Sequence, residues 1–198
     1  MPFQPNQIPP ATSDCPSGNT YIGISPIGDI SREMCELIEE NVQALFGYKT
    51  KTMTLLNNID FAYDQNRKQY HSTAVLERLA YIAPKGCMKI LAITRVDLFI
   101  PILTHVFGEA QLNGKACVLS TYRLSDGIES DEFHKINERV VKEAIHELGH
   151  TFNLRHCDSH ECMMHYCRSL QDVDLKSVQC CRYCRILLSD EIKRLSVT

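Results

Sequence analysis

Residues 146–156 read HELGHTFNLRH, and this stretch decides the interpretation of the chain. His146 and His150 are four residues apart, so on a helix their side chains leave the same face, one turn apart. Two imidazoles at that spacing can hold one Zn²⁺, with the Glu147 carboxylate beside them as a general base. The stretch therefore predicts a metal-binding helix with hydrolytic chemistry.

The third histidine of the stretch needs a turn in the chain. His156 lies six residues beyond His150, too far along for the same helical face. It reaches the metal only if the chain turns back after about residue 152, and such turns usually need a residue with positive φ. Asn153 stands there, and asparagine tolerates that conformation better than most non-glycine residues. The elongated three-histidine pattern is typical of metzincin-type peptidases, here with asparagine replacing glycine. The alternative is a surface helix with three solvated histidines.

Length and charge narrow the class of protein. The 198 residues suffice for one domain with a sizeable core, and 44% hydrophobic with 23% charged residues is ordinary for a soluble globular chain. The net charge of -3 argues against nucleic acid or an anionic membrane as partner. No apolar run is long enough to cross a bilayer. Residues 1–10 lack the basic and apolar regions of a secretory signal, so we expect a disordered arm and a cytoplasmic protein.

The ten cysteines are distributed unevenly. A reducing cytoplasm disfavours disulfides. Cys15, Cys35, Cys87 and Cys117 are spread out, and we interpret them as small apolar core residues. The others crowd the last quarter of the chain, which indicates metal binding: Cys157, Cys162, Cys167, Cys180, Cys181 and Cys184.

Strands alternate with helices along the chain. Predicted strands cover residues 20–25, 49–56 and 89–94, the last a near-continuous apolar run typical of a buried parallel strand. Predicted helices run from Asp29 or Ser31 to about Phe46, over 72–82, and from a start at residues 130–132 through the histidine stretch. Ser189 is expected to cap a short final helix. Asn113-Gly114, between strand-like residues 106–112 and 115–121, is a strong hairpin signal. The fold class is therefore α/β with a mixed sheet.

A second group of metal-ligating residues follows His156 directly. Cys157, Cys162 and the pair Cys181-x-x-Cys184 fit a tetrahedral structural zinc with four thiolates. Spacing alone does not choose uniquely, because Cys167, Cys180, His160 and His165 compete as ligands. The bland alternative is a set of free buried thiols.

Two residues between these cysteines suggest a supporting role at the histidine site. Met164 is placed where metzincins have a methionine in a tight turn beneath the three histidines, although a lone methionine is more often core packing. Tyr166, two residues later, is a candidate oxyanion stabiliser, with a packed or surface tyrosine as the alternative.

Together these residues closely resemble the archaemetzincins, a family of zinc metallopeptidases. The family pattern is the three-histidine run, Cys-x4-Cys-x-Met and a final Cys-x-x-Cys, matched here by residues 146–184. Residues 23–28 (GISPIG), 62–64 (AYD) and 97–119 also look like the family, so the resemblance covers about residues 20–190. Asn153 departs from the family's glycine, and the gap between Met164 and Cys181 is about a residue shorter.

The resemblance implies a compact metzincin-like fold, with a twisted mixed sheet, an active-site helix and a small lower lobe. We expect one catalytic domain over 1–198, with an upper lobe over 1–156 and a lower lobe over 157–198. By resemblance, the structural zinc is held by Cys157, Cys162, Cys181 and Cys184.

The sequence predicts a monomeric zinc peptidase that acts on peptides or proteins and binds two zinc ions. His146, His150 and His156 hold the catalytic ion, and Glu147 moves protons as general base and acid. One rival is a zinc-bound peptide-binding scaffold that cleaves little or nothing. The other is a nucleic-acid binder using the basic residues of the tail, which the acidic balance disfavours.

Overall fold

The computed structural model describes residues 20–128 and 132–196. Expectations for the arm at 1–10, for Cys15 and for Ser130 and Asp131 as helix-starting residues lie outside these ranges. The strands are β1 (Tyr21–Pro26), β2 (Thr50–Thr52), β3 (Tyr63–Asp64), β4 (Gln69–His71), β5 (Cys87–Thr94), β6 (Leu98–Phe99), β7 (Gly108–Ala110) and β8 (Ala116–Ser120). The helices are α1 (Arg32–Phe46), α2 (Ser72–Ile82), α3 (Phe133–Thr151), α4 (Leu170–Leu175) and α5 (Arg182–Ser196).

Five strands form the main sheet in the order β2-β1-β5-β8-β7. All neighbours are parallel except β7, which pairs antiparallel with β8 through the predicted hairpin. β5 lies in the middle, which explains its continuous apolar sequence. The predicted α/β class with a mixed sheet is confirmed.

Side-chain alternation along the central strands divides the core between the two faces of the sheet. Leu91 and Ile93 of β5 belong to one buried cluster, which α1 and α3 complete. Ile90 and Ala92 belong to the other, which α2 completes. The first cluster also takes in buried residues from beyond residue 156, including Met164.

The first two helices have the predicted limits. Ser31 caps α1 by accepting a hydrogen bond from the Met34 N–H, and Gly47 ends it with a φ of 75°. α2 spans the predicted residues. Of the predicted strand over 49–56, only Thr50–Thr52 is extended.

The structure differs from the sequence prediction at the final helix. Ser189 does not cap it but lies inside α5, so this prediction was wrong. Cys184, Leu188 and Ile192 are buried four residues apart, and this stripe extends the helix upstream. Cys184 therefore belongs to this buried stripe as well as to the predicted metal site.

Two features were not predicted. Residues 63–71 contribute β3 and β4 to a second sheet of order β3-β4-β6, whose strands are too short to show alternation. α4 begins with a capping box in which Ser169 and Asp172 bond to each other's backbone N–H groups.

Candidate active site and metal centres

The second half of α3 is buried throughout. Every residue from Arg139 to Gly149 is shielded from solvent, and His146 and Glu147 are each only 5% exposed. One side of the helix packs into the core through an apolar stripe that includes Ala144 and Leu148. The opposite side faces a cleft, so the polar residues are held on a rigid platform.

The three predicted zinc ligands converge. One ring nitrogen from each of His146, His150 and His156 lies within 4.8 Å of the others, and the Nε2 atoms of His146 and His150 are 3.1 Å apart. Asn153 makes the turn with a φ of 63°, the conformation that the sequence required.

Hydrogen bonds set the orientation of two of these rings. His146 Nδ1 lies 2.8 Å from the Met163 carbonyl oxygen, and His150 Nδ1 lies 2.7 Å from that of Leu154. A carbonyl only accepts, so each Nδ1 carries the proton and each Nε2 directs a lone pair into the site. This is the tautomer that a zinc-binding imidazole needs.

The environment keeps the three imidazoles neutral. Burial lowers the pKa of His146 well below its usual value, and the Lys176 charge lowers it further. Burial also lowers the pKa of His150, and it lowers that of His156 to about 4. The donor set is therefore uncharged at neutral pH and fits Zn²⁺.

Glu147 lies where β7 passes over α3. A Cβ atom added to Gly108 would come within 2.7 Å of the Glu147 Cγ and Oε1 atoms, so only glycine allows this approach. Burial and the Glu143 carboxylate raise the pKa of Glu147 well above its usual value. The carboxyl group is thus a strong proton acceptor beside the histidines.

The segment carrying Met164 packs directly beneath α3. A Cβ atom on Gly149 would lie 2.5 Å from Met164 Sδ and 3.0 Å from Met163 Cε. This close packing accounts for a glycine inside the helix. Tyr166 lies beyond it, with its ring 4.7 Å from that of His156 and 42% of the residue exposed.

The predicted thiolates also converge. The Sγ atoms of Cys157, Cys162, Cys181 and Cys184 all lie within 4.8 Å of one another. Burial opposes ionisation of Cys181, but hydrogen bonds from the Cys184 N–H and neighbouring thiols lower its pKa to about 7. Since zinc binds thiolate, this cluster fits a four-sulfur site.

The competing ligands lie elsewhere. Cys180 is buried against the Met163 sulfur at 3.4 Å, and burial raises its pKa to about 12. The Cys167 thiol donates to the His165 carbonyl at 3.5 Å. His160 and His165 contact each other, and neither joins the four-cysteine cluster.

Sequence reasoning missed a buried ion pair behind the histidines. Lys176 Nζ lies 2.6 Å from Glu143 Oε1, and the two side chains are 0% and 4% exposed. Burial works against the Lys176 charge, but the Glu143 carboxylate outweighs it and raises the pKa of Lys176. Glu143 could have been suspected, since it lies one turn before Glu147 on α3. Lys176 carries no local signal.

The cleft is bounded by β7 and by the loop over residues 100–107. Two cavities, of about 410 Å³ and about 520 Å³, are both lined by Leu103, Gly108 and Glu147. The β3–β4 hairpin holds this loop: Arg67 in its turn donates to the Leu103 carbonyl at 2.7 Å, and Gln69 of β4 donates to that of Thr104 at 3.0 Å. The candidate catalytic carboxylate therefore borders both cavities of the cleft.

The model of peptidase family M54 matches residues 26–190. The chain belongs to this family. An archaemetzincin of Methanocaldococcus jannaschii is 34% identical over 174 residues, covering 85% of this chain and 93% of that protein. One from Halobacterium salinarum is 35% identical over 172 residues, covering 83% and 96%.

Solved structures agree. The archaemetzincin of Methanopyrus kandleri superposes with a TM-score of 0.78 at 34% identity, covering 90% of this chain and 99% of that one. That of Archaeoglobus fulgidus, complexed with malonate, gives 0.73 at 33% identity, covering 85% and 99%. The resemblance seen in the sequence is confirmed, as is the archaemetzincin-like fold.

Family membership settles the class of reaction. The chain is a zinc-dependent metallopeptidase, and its substrates are peptides. Within the described residues, no helix has the length and apolar character needed to cross a membrane.

Proposed function

We propose that His146, His150 and His156 hold the catalytic zinc and that Glu147 is the general base and acid of peptide hydrolysis. The observation that carries this proposal is the convergence of three imidazole nitrogens beside a buried carboxylate with raised proton affinity. Zinc bound there would polarise the scissile carbonyl and lower the pKa of a water molecule.

Glu147 would accept the proton of the attacking water at a carboxylate oxygen and pass it to the departing amine. Its position beneath Gly108 places it beside the edge strand of the main sheet. An extended peptide could pair with β7 as an added strand, which would bring its backbone across the carboxylate. Tyr166, beside His156, is the candidate donor to the developing oxyanion.

We further propose two zinc ions per chain, the second bound structurally by Cys157, Cys162, Cys181 and Cys184. The close approach of these four sulfur atoms supports that assignment. Met164 would support the catalytic site from below through its contact with α3.

The remaining features of the proposal concern the whole molecule. We propose a cytoplasmic monomer that binds neither nucleic acid nor membrane, as the charge balance suggests. The chain would form one catalytic domain, with lobes over 1–156 and 157–198. The core cluster shared by residues on both sides of His156 supports one folding unit.

The decisive test is Glu147→Gln, assayed on a peptide library by mass spectrometry with and without a chelator. The variant should keep its zinc content, and turnover should fall about 10²–10⁴-fold, the usual contribution of a general base. Glu138→Gln is the matched control, because Glu138 lies on the same helix, is exposed and pairs only with Lys142 among the described residues. Full turnover by Glu147→Gln would contradict the assignment.

A further inference from the structure

His160 and His165 form a third group of metal-ligating side chains, separate from both candidate zinc sites. His160 Nδ1 lies 3.1 Å from His165 Nε2, and the ring centroids are 4.5 Å apart. His160 is exposed and His165 is half-buried, so solvent ions can reach both rings. We propose that this pair is a labile binding site for a divalent transition-metal ion.

The distance between the His160 and His165 nitrogens can be compared with that in the candidate catalytic site. There the Nε2 atoms of His146 and His150 are also 3.1 Å apart. With metal–nitrogen bonds of about 2.0–2.1 Å, this separation corresponds to an angle of about 95–100° at the ion. That angle lies between the octahedral and tetrahedral values, so one ion fits between the His160 and His165 nitrogens.

The second nitrogen of His165 is already engaged. His165 Nδ1 lies 3.1 Å from the Cys157 carbonyl oxygen, so it donates and leaves the Nε2 lone pair facing His160. The backbones of Cys157 and His165 are paired, and the Cys157 N–H donates to the Met164 carbonyl at 2.9 Å. One ligand is therefore oriented in advance, as in metal sites whose histidines are held by carbonyl groups.

The number of side-chain ligands determines how tightly the site binds an ion. Among residues 20–128 and 132–196, only the two groups described above bring together three or more metal-ligating side chains. Water would complete the coordination at His160 and His165, so binding is weak and reversible. Neutral imidazoles favour Cu²⁺, Ni²⁺ and Zn²⁺ over the oxygen-seeking Mg²⁺ and Ca²⁺.

An ion bound at this pair would stabilise the loop that carries Cys157 and Cys162. His160 lies between Cys157 and Cys162, whereas His165 follows Met164. An ion bound to both rings would fasten this loop to the segment beneath α3. Excess metal should therefore stabilise the zinc-loaded protein without replacing either resident ion.

The experiment uses the full chain loaded with zinc and dialysed. Isothermal titration with Zn²⁺, and separately with Ni²⁺, is compared for the parent, His160→Ala and His134→Ala. His134 is an exposed histidine on α3 and serves as the matched control. Elemental analysis before and after titration counts the resident zinc.

The parent and His134→Ala should each bind one additional ion, and His160→Ala should bind it at least about tenfold more weakly. Mg²⁺ should bind to none of them. Because resident zinc is counted in every variant, a folding defect in His160→Ala would show as lost zinc, and His165→Gln then replaces it. A parent that binds no additional ion, or a His160→Ala variant that binds as the parent does, overturns the proposal and leaves a plain hydrogen bond between the rings.

Discussion

The histidine cluster and the cysteine cluster are neighbours in the chain but are built differently. Two of the three histidines come from one turn of a buried helix. The cysteines come from the loop after His156 and from the start of α5, with Cys157 and Cys181 24 residues apart. We therefore expect α3 to orient His146 and His150 without an ion, and the cysteine segments to depend on a bound ion to stay together.

The two clusters also differ in how deeply their surroundings are buried. Around the histidines, the core residues of α3, the main sheet and Met164 are fully buried. At the cysteines, Cys162 and Cys184 are buried, whereas Cys157 and Cys181 are partly exposed. We therefore expect loss of zinc to affect activity at the first cluster and stability at the second.

Cys184→Ser should give the largest change in stability. Structural zinc contributes roughly 10–16 kcal/mol of binding free energy in small zinc modules, so losing one ligand should cost at least about 4 kcal/mol. For a chain of this length, that lowers the Tm by on the order of 10 °C. Calorimetry with zinc analysis measures both.

The matched variant for this comparison is His150→Ala. It should lose one zinc and all turnover, yet change the Tm far less than Cys184→Ser does. Cys184→Ser should also weaken zinc binding at the histidines, because His156 and Cys157 are adjacent. Equal Tm losses in the two variants would remove the distinction between the clusters.

Lys89 connects the main sheet to the end of α3, and its lowered pKa predicts how stability depends on pH. Its Nζ donates to the carbonyls of Thr151 at 2.6 Å and Gly114 at 2.7 Å, and burial lowers its pKa from 10.5 to about 8. Between these pH values the unfolded chain keeps a proton that the folded chain has lost. The free energy of unfolding therefore rises with pH there, by about 3 kcal/mol in total.

The Lys89→Met variant should lack this rise. Urea unfolding of both proteins at pH 7, 8, 9 and 10 measures it, and other titrating groups cancel in the difference between them. Parallel pH curves for parent and variant would mean that Lys89 keeps the same proton affinity in the folded and unfolded states.

Gly149→Ala tests the packing between α3 and the methionine segment. Alanine favours a helix by about 1 kcal/mol, but its Cβ would lie 2.5 Å from Met164 Sδ. Overpacking costs about 1–3 kcal/mol, so the expected net loss is up to about 2 kcal/mol in chemical unfolding. Met164→Ala removes the side chain that the new Cβ would contact. Gly149→Ala should therefore cost less stability in a Met164→Ala background than in the parent. A stabilised Gly149→Ala variant would show that the methionines move aside freely.

Asn153→Gly should give the smallest change. Asn153 already has a φ of 63°, so glycine relieves little strain and adds freedom to the unfolded chain. Stability should stay within about 0.5 kcal/mol, whereas Asn153→Ala should cost about 1 kcal/mol. Zinc affinity measured by chelator competition should be unchanged in Asn153→Gly. A clear gain in that affinity would mean that asparagine strains the turn.

Features that depend on residues close together in the sequence could be predicted, and contacts between distant residues could not. The four-residue spacing of His146 and His150, the turn at Asn153 and the hairpin at Asn113-Gly114 are local, and all three were predictable. Lys176 and Glu143 are 33 residues apart in the sequence, and Arg67 and Leu103 are 36 apart. No local sequence pattern predicts either contact. The second sheet was missed because two- and three-residue strands have no readable period.

The turn of the β7–β8 hairpin shows where this chain resists change in length. Surface hairpins usually tolerate inserted or deleted residues. Here the Asn113 N–H donates to the His150 carbonyl at 2.9 Å, and the Gly114 carbonyl accepts from Lys89. An insertion would break this bond between the turn that follows the proposed substrate-binding strand and a histidine proposed to bind zinc. Relatives that bind peptides at this strand should therefore vary in the length of other loops before they vary here.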